Sequence, residues 1–347
     1  MITSSRFGTT KNGDAITRFT MTNKNGMSVD VLDYACVIQS IRVPDRYGKF
    51  RDVALGYDLI SEYENGSCYY GSFIGRYANR IAGSSFDLEG QTYRLPPNEG
   101  KNHLHGVYTT QLFRGNGIAE NTLMFMRFSP DGEEGFPGQV VLLITYSLSE
   151  DNKLTLDYQA MTDKTTVINL TNHTYFNLGG HDSGTILDTD LKLNASRYTE
   201  ADSESLATGA ILPVEGTPFD FRQGKKIGQD IHASHPMIQA CQGYDLNYVL
   251  DEPSLEKPCA EAVCEDSGIT LKMYTTQPGM QLYTGNSIPA DRAASPNKGG
   301  VRYPQYAGFC LESQHFPCSP NIPEFPSTVL HPHEIYHEVT RYEFGVI

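Results

Sequence analysis

Among its 347 residues the chain has no tryptophan, so any aromatic surface it offers a ligand must come from 21 Tyr and 16 Phe. Its seven cysteines are an odd number without a Cys-x-x-Cys pair, which argues against a disulfide framework and against a thiolate zinc site. Basic residues are also short, 27 Lys and Arg against 41 Asp and Glu, and a net charge of -14 repels nucleic acid and anionic membranes while leaving a neutral ligand indifferent. No apolar run approaches the roughly 18 residues of a membrane helix, and MITSSRFGTTKNGD lacks the apolar core of a signal peptide. A soluble, reduced, cytoplasmic protein is expected. On that reading the sequons at Asn65, Asn169, Asn172 and Asn194 are chance occurrences.

Helical periodicity is equally scarce. No dozen-residue window keeps apolar positions at i, i+3, i+4 and i+7, and only Asp58 to Tyr63 and Lys225 to His232 read as short helices. What recurs is period-2 alternation: Phe86, Leu88, then Tyr93, Leu95 across a Glu-Gly turn; Leu154, Leu156, Tyr158; Ile269, Leu271, Met273. The continuous run Val140 to Ile144 suits a strand covered on both faces. Glycines and prolines are spread between these strands, with no linker, low-complexity tract or repeat period. The expectation is one all-β domain over residues 1–347, a large many-stranded antiparallel β-sandwich with few short helices.

The stretch Asn169 to Gly180, NLTNHTYFNLGG, sets His173 among Asn, Thr and two aromatics before a Gly-Gly turn. Asn and Thr suit directional hydrogen bonds to hydroxyls, Tyr175 and Phe176 offer flat apolar faces for a pyranose, and His173 can transfer a proton near neutral pH. A second stretch, Gly308 to Asn321 (GFCLESQHFPCSPN), sets Glu312 in a short apolar strand. With Gly75 to Gly83 (GRYANRIAG), Asn102 to Gly106 (NHLHG), Gly243 to Leu250 (GYDLNYVL) and weaker echoes from Asp52, Thr217 and Thr275, the ordered set resembles the galactose mutarotases, the aldose 1-epimerases.

That resemblance implies a mutarotase-type supersandwich with a sugar cleft, and an isomerase that interconverts α and β anomers of free hexoses such as galactose and glucose. Ring opening needs a base for the C1 hydroxyl proton and an acid for the ring oxygen, with no cofactor and no metal. By resemblance Glu312 is the base and His173 the acid, held protonated by neighbouring carboxylates. Asn79, Arg80, His105, Tyr175, Asp245 and Gln281 hold the sugar, with Gln281 preferred over Gln277. Arg76 reads as a solvated surface charge. His103 lies two residues from His105 on the same side of a strand, so His-x-His could form half a metal site, and His331, His333 and His337 have cluster-like spacing. Neither is expected to bind metal. No Gly-x-Ser-x-Gly elbow or phosphate loop is present.

Three features depart from the family pattern: Leu246 follows Asp245 where a polar residue or histidine is more usual, the lack of Trp leaves sugar stacking to Phe and Tyr, and Val107 follows NHLHG in place of a second glycine. The alternatives are a hexose-6-phosphate 1-epimerase, which would need a cationic clamp, and a non-catalytic sugar-binding or regulatory protein of the same fold. The expected partner is a small aldose; no nucleic acid or membrane is expected, and the chain is read as a monomer or homodimer.

Overall fold

In the computed structural model, which describes residues 1–288 and 296–347, three antiparallel sheets hold most of the strand residues. A five-stranded meander runs Ile2–Thr9, Ala15–Thr22, Ser28–Leu32, Ile38–Pro44, Phe50–Asp52. A nine-stranded sheet follows the order Arg114–Ala119, Thr122–Ser129, Val140–Leu148, Lys153–Thr162, Tyr336–Val346, Ile269–Thr275, Ala260–Val263, Asp190–Leu193, Lys225–Lys226. The third sheet, Tyr175–Phe176, Phe309–Gln314, Gly279–Tyr283, Asp245–Val249, Arg197–Ala201, Ala207–Pro213, carries the residues of interest. Apolar side chains from all three sheets share one buried cluster, from Met21 and Val31 through Leu142 and Leu156 to Leu246, Leu282 and Leu311.

Alternation in the sequence becomes alternation in burial. Along Lys153–Thr162 every second residue is buried from Leu154 to Ala160. Ser85–Leu88 and Gln91–Arg94 form the expected hairpin, closed by Glu89 and Gly90, both at positive φ (51° and 79°), as a twist-matched two-residue turn requires. The run at Val140 to Ile144 departs from expectation. Its strand, Val140–Leu148, alternates between buried and half-buried, so only one face is covered. The outer face is itself apolar here, with Phe128, Val141 and Met161 in one cross-strand row, and that makes the run look doubly buried.

Two short α-helices occur among the described residues, Ile60–Asn65 and Pro236–Cys241. The first overlaps the predicted segment. The second was not anticipated: Pro236 sits at its first turn and the His235 ring accepts the Met237 N–H at 3.3 Å. The helix read over Lys225 to His232 is reduced to a single 3-10 turn, Ile227–Gln229. Lys225 and Lys226 are extended and pair with Leu191 and Asp190, and the Ile227 and Gly228 N–H groups donate to Thr189 and Leu187 carbonyls at 3.0 and 2.8 Å, so sheet pairing holds the start of the segment out of an α-helix.

Candidate active site

Strand register assembles the floor of a cleft. Asn247, Gln281 and Glu312 stand opposite one another across three adjacent strands, and Asp245 opposes Tyr283. Period-2 geometry puts Asp245, Gln281, Tyr283 and Glu312 on one face, while Leu246, Leu282 and Leu311 on the other enter the core. The apolar neighbours that suggested burial for Glu312 are thus the reverse side of a polar site. Leu246 belongs to that reverse side too, buried at 3% exposure.

His173 reaches the floor from a loop between Thr171–Asn172 and Tyr175–Phe176. Its N–H donates to Ser72 at 2.9 Å and its carbonyl accepts from Gly71 at 3.0 Å. The asparagines around it brace this loop, where the sequence reading had aimed them at sugar hydroxyls. Asn169 bonds the Ala78 carbonyl and the His315 N–H, Asn172 the Gly71 carbonyl and Thr174 N–H, Asn177 the Ala307 carbonyl and Gly179 N–H. Buried backbone in an irregular loop requires such partners. Phe176 likewise turns to the core against Phe309 and Tyr342, leaving Tyr175 on the cleft, its ring stacked 5.0 Å from His173.

His173 Nε2 lies 3.6 Å from Glu312 Oε1, and its Nδ1 is 3.4 Å from Cys310 Sγ. Burial drives both partners toward their uncharged forms. It lowers His173 to about 4, and it lifts Glu312 well above the carboxylate range, with Asp245 adding to the lift and Arg80 opposing it. Burial therefore outweighs the neighbouring carboxylates expected to hold His173 protonated. Both shifts favour the uncharged pair, neutral imidazole beside protonated carboxyl, over the ion pair. Glu312 Oε2 is buried without a hydrogen-bond partner, as is Gln281 Oε1.

Around the floor, His105 sits in the left-handed region at φ 66°. This turns it away from His103, which instead binds the Pro96 carbonyl at 2.8 Å and packs on Phe136, so the two do not share a face. His105 Nδ1 accepts the Asn79 N–H at 3.2 Å. Burial first, then His173 and Arg80, lower its pKa well below the ordinary value, so at neutral pH the ring is uncharged and Nε2 carries the proton. That proton bears on metal binding: ligand atoms of His105, His173 and Glu312 come within 4.8 Å of one another, yet His105 presents a donor where an ion needs a lone pair. The His331, His333 and His337 segment forms no ligand cluster among the described residues; His337 pairs with Asp157 at 3.0 Å.

Arg80 lines the cleft wall, and its Nε and Nη2 donate to the two oxygens of Glu99 at 2.6 and 2.7 Å. Burial works against its charge, but Asp245 and Glu99 outweigh that and hold the guanidinium firmly protonated. Asp245 is raised by burial, against the pull of Arg80 and of Gln281, whose Nε2 donates to it at 2.6 Å. Asn79, at φ 64°, accepts the Arg80 N–H through its own side chain at 2.9 Å. Gln277 lies elsewhere, donating to the Tyr336 hydroxyl at 2.8 Å. Arg76 is a correction: only 1% exposed, it clamps the carbonyls of Pro137 and Gly138 at 2.8 and 2.9 Å and serves structure.

The cleft is about 250 Å³, below the usual range for drug-sized ligands and suited to a single small polar molecule. Its lining contains every sugar-contact residue named from the sequence, and adds Tyr69, Glu99 and Tyr283. Tyr283 was legible, two residues beyond Gln281 on the same strand face. Tyr69, whose ring lies 5.1 Å from His105 and 5.8 Å from His173, and Glu99 sit on irregular backbone without a periodic signal.

The family model described as Aldose 1-epimerase matches residues 17–343. A galactose mutarotase of Mus musculus is 38% identical over 347 residues, covering 99% of each chain, and an aldose 1-epimerase of Haemophilus influenzae is 37% identical over 309 residues, covering 88% of each. Among solved structures, a galactose 1-epimerase from Lactobacillus acidophilus superposes with a TM-score of 0.86 at 27% identity, covering 100% of this chain and 99% of its own. An aldose epimerase homologue from C. elegans also gives 0.86, at 28% identity, covering 94% of this chain and 98% of its own. A sandwich of this topology, a buried histidine and glutamate in contact at the foot of a small polar cleft, and likeness along nearly the whole chain lead to one assignment: the chain belongs to the aldose 1-epimerase family of isomerases.

Proposed function

We propose that the chain, as one domain, interconverts the α and β anomers of free, uncharged hexoses such as galactose and glucose, with Glu312 as base and His173 as acid. The observation that carries this reading is the buried contact of 3.6 Å between His173 Nε2 and Glu312 Oε1, beside a carboxylate oxygen that lacks any other partner. The ionised-carboxylate, protonated-imidazole form is one proton hop from the uncharged form. Sugar hydroxyls that donate to Glu312, with Arg80 nearby, favour it on binding.

Glu312 then takes the proton from the C1 hydroxyl while His173 gives one to the ring oxygen, and the C1–O5 bond opens to the aldehyde. Rotation about C1–C2 presents the other face, and reclosure returns each proton to its origin. Asn79, Arg80, His105, Tyr175, Asp245 and Gln281 hold the ring: His105 donates through Nε2, Asp245 accepts from hydroxyls, and Tyr175 offers an apolar face.

The hexose-6-phosphate reading fits less well, because among the described residues Arg80 is the one Lys or Arg lining the cleft and its fork already holds Glu99. A binding-only role would not call for the acid and base pair. Cytoplasmic residence rests on the cysteine pattern; no helix among the described residues is long and apolar enough to cross a membrane.

Polarimetry on freshly dissolved α-D-galactose and α-D-glucose tests the assignment. The wild type accelerates the drift to equilibrium, and Glu312→Gln loses about 10²-fold or more of that acceleration, as expected on removal of a general base. Wild-type rates no faster than buffer on both sugars would overturn the reading.

A further inference from the structure

The Arg80–Glu99 pair has an unusual placement for a salt bridge, since both members line the substrate cleft. Glu99 stands toward the mouth, its side chain 37% exposed against 12% for Arg80. The contact is two-pronged, 2.6 and 2.7 Å, which fixes the guanidinium plane and takes up Nε and one hydrogen of Nη2. Nη1 and the second Nη2 hydrogen make no hydrogen bond to the described residues, so Arg80 keeps donors for hydroxyl oxygens while its charge is matched from the mouth side.

The backbone that carries Glu99 is tied down without help from its carboxylate. Glu99 and Asn102 exchange main-chain bonds at 3.1 and 2.9 Å, and the Asn98 side chain brackets Leu104 at 2.7 and 2.8 Å. Asn102 Oδ1 accepts the Gly83 N–H at 2.9 Å. A change confined to the Glu99 side chain therefore leaves the turn in place.

From mouth to floor the cleft carries Glu99, Asp245 and Glu312 against a single cation, Arg80. We infer that Glu99 is a positioning and specificity-determining residue that neutralises Arg80 at the cleft mouth, so that the site takes uncharged aldoses and rejects those bearing a carboxylate or phosphate. This rests on the epimerase assignment. Without the Glu99 charge the Arg80 cation would be countered by Asp245 alone and its Nε and Nη2 donors would open to an anionic sugar, and specificity of this kind comes from a placed repulsive group as much as from an attractive one.

D-Galacturonate is the probe, because it keeps the ring hydroxyls of galactose and replaces the C6 alcohol with a carboxylate. Anomerisation of both sugars is followed for wild type, Glu99→Gln and Glu99→Asp at low and high salt. The wild type strongly prefers galactose. In Glu99→Gln the galacturonate-to-galactose ratio of kcat/KM rises about tenfold, through KM, and the gain shrinks as salt screens the new pairing. Glu99→Asp, which keeps the charge, stays near the wild-type ratio. A wild type that accepts galacturonate as readily as galactose would overturn the inference. So would a Glu99→Gln variant that loses both activities in equal proportion, which is what a merely structural carboxylate would give. If the wild type is inert on galactose as well, the epimerase assignment itself falls.

Discussion

At the scale of single residues, the proposed chemistry turns on which of two buried groups in contact, His173 or Glu312, carries a proton. Below the pKa of His173, about 4, the pair carries two protons and has no base; above the raised pKa of Glu312 it carries none and has no acid. The one-proton form spans the interval between, so kcat/KM against pH should be bell-shaped, with its acid limb well below the ordinary histidine value of about 6.5. A stopped-flow polarimetric profile from about pH 3 to about pH 10, which starts below the His173 value, checks this. An acid limb centred at the free-histidine value would show that His173 is not desolvated as the structure has it. Glu312 and His173 stand out in the sequence because each lies in a distinctive string of residues. Their electrostatic state is not readable there, since it comes from burial by strands and loops distant in sequence.

At the scale of elements, the sheet face and the loops differ in how far the sequence discloses them. Asp245, Gln281 and Glu312 each follow the alternation of their own strand, so a period-2 reading finds same-strand neighbours such as Tyr283 beside Gln281, while bringing the three strands together takes the pairing itself. Arg76, Phe176 and the asparagines of the His173 loop were misread because irregular backbone gives no rule for side-chain direction, and short loops buried in a protein consume polar side chains internally. The helix placed from Lys225 shows the same limit from another side, since Lys225 and Lys226 are drawn into pairing with Asp190–Leu193, far earlier in the chain, and only a 3-10 turn remains at Ile227–Gln229. The His173 loop depends on Gly71, which sits at φ 67° with its N–H donated to the His173 carbonyl. A Cβ there would fall 2.1 Å from the Ile38 carbonyl oxygen. Gly71→Ala should therefore cost about 2 kcal/mol or more of stability and misplace His173, seen as a lowered denaturant midpoint with reduced kcat. An unchanged midpoint would show that the loop does not rely on this approach.

At the scale of the whole molecule, the net charge of -14 sets how the surface meets its ligands. A neutral hexose feels no steering from that field, so kcat/KM for galactose should be flat with added salt, measured from low to roughly physiological ionic strength of 0.15 M. A steep salt dependence for galactose would indicate that the charged groups of the cleft rearrange on binding. The overall architecture was legible from alternation and from scattered turn residues, and the sheet order was not, because pairings such as Lys153–Thr162 with Tyr336–Val346 join segments far apart in the chain.

The single proton held between His173 and Glu312 has a consequence for how turnover connects to solvent. Each proton that leaves a sugar oxygen during ring opening goes back to the same oxygen during closure, so a complete cycle leaves the enzyme with the proton inventory it began with. No relay to bulk water and no buffer is needed to reset it. The pair can therefore lie at the bottom of a narrow cleft, where a hydrolase or dehydrogenase with a net proton to discharge would require an exit.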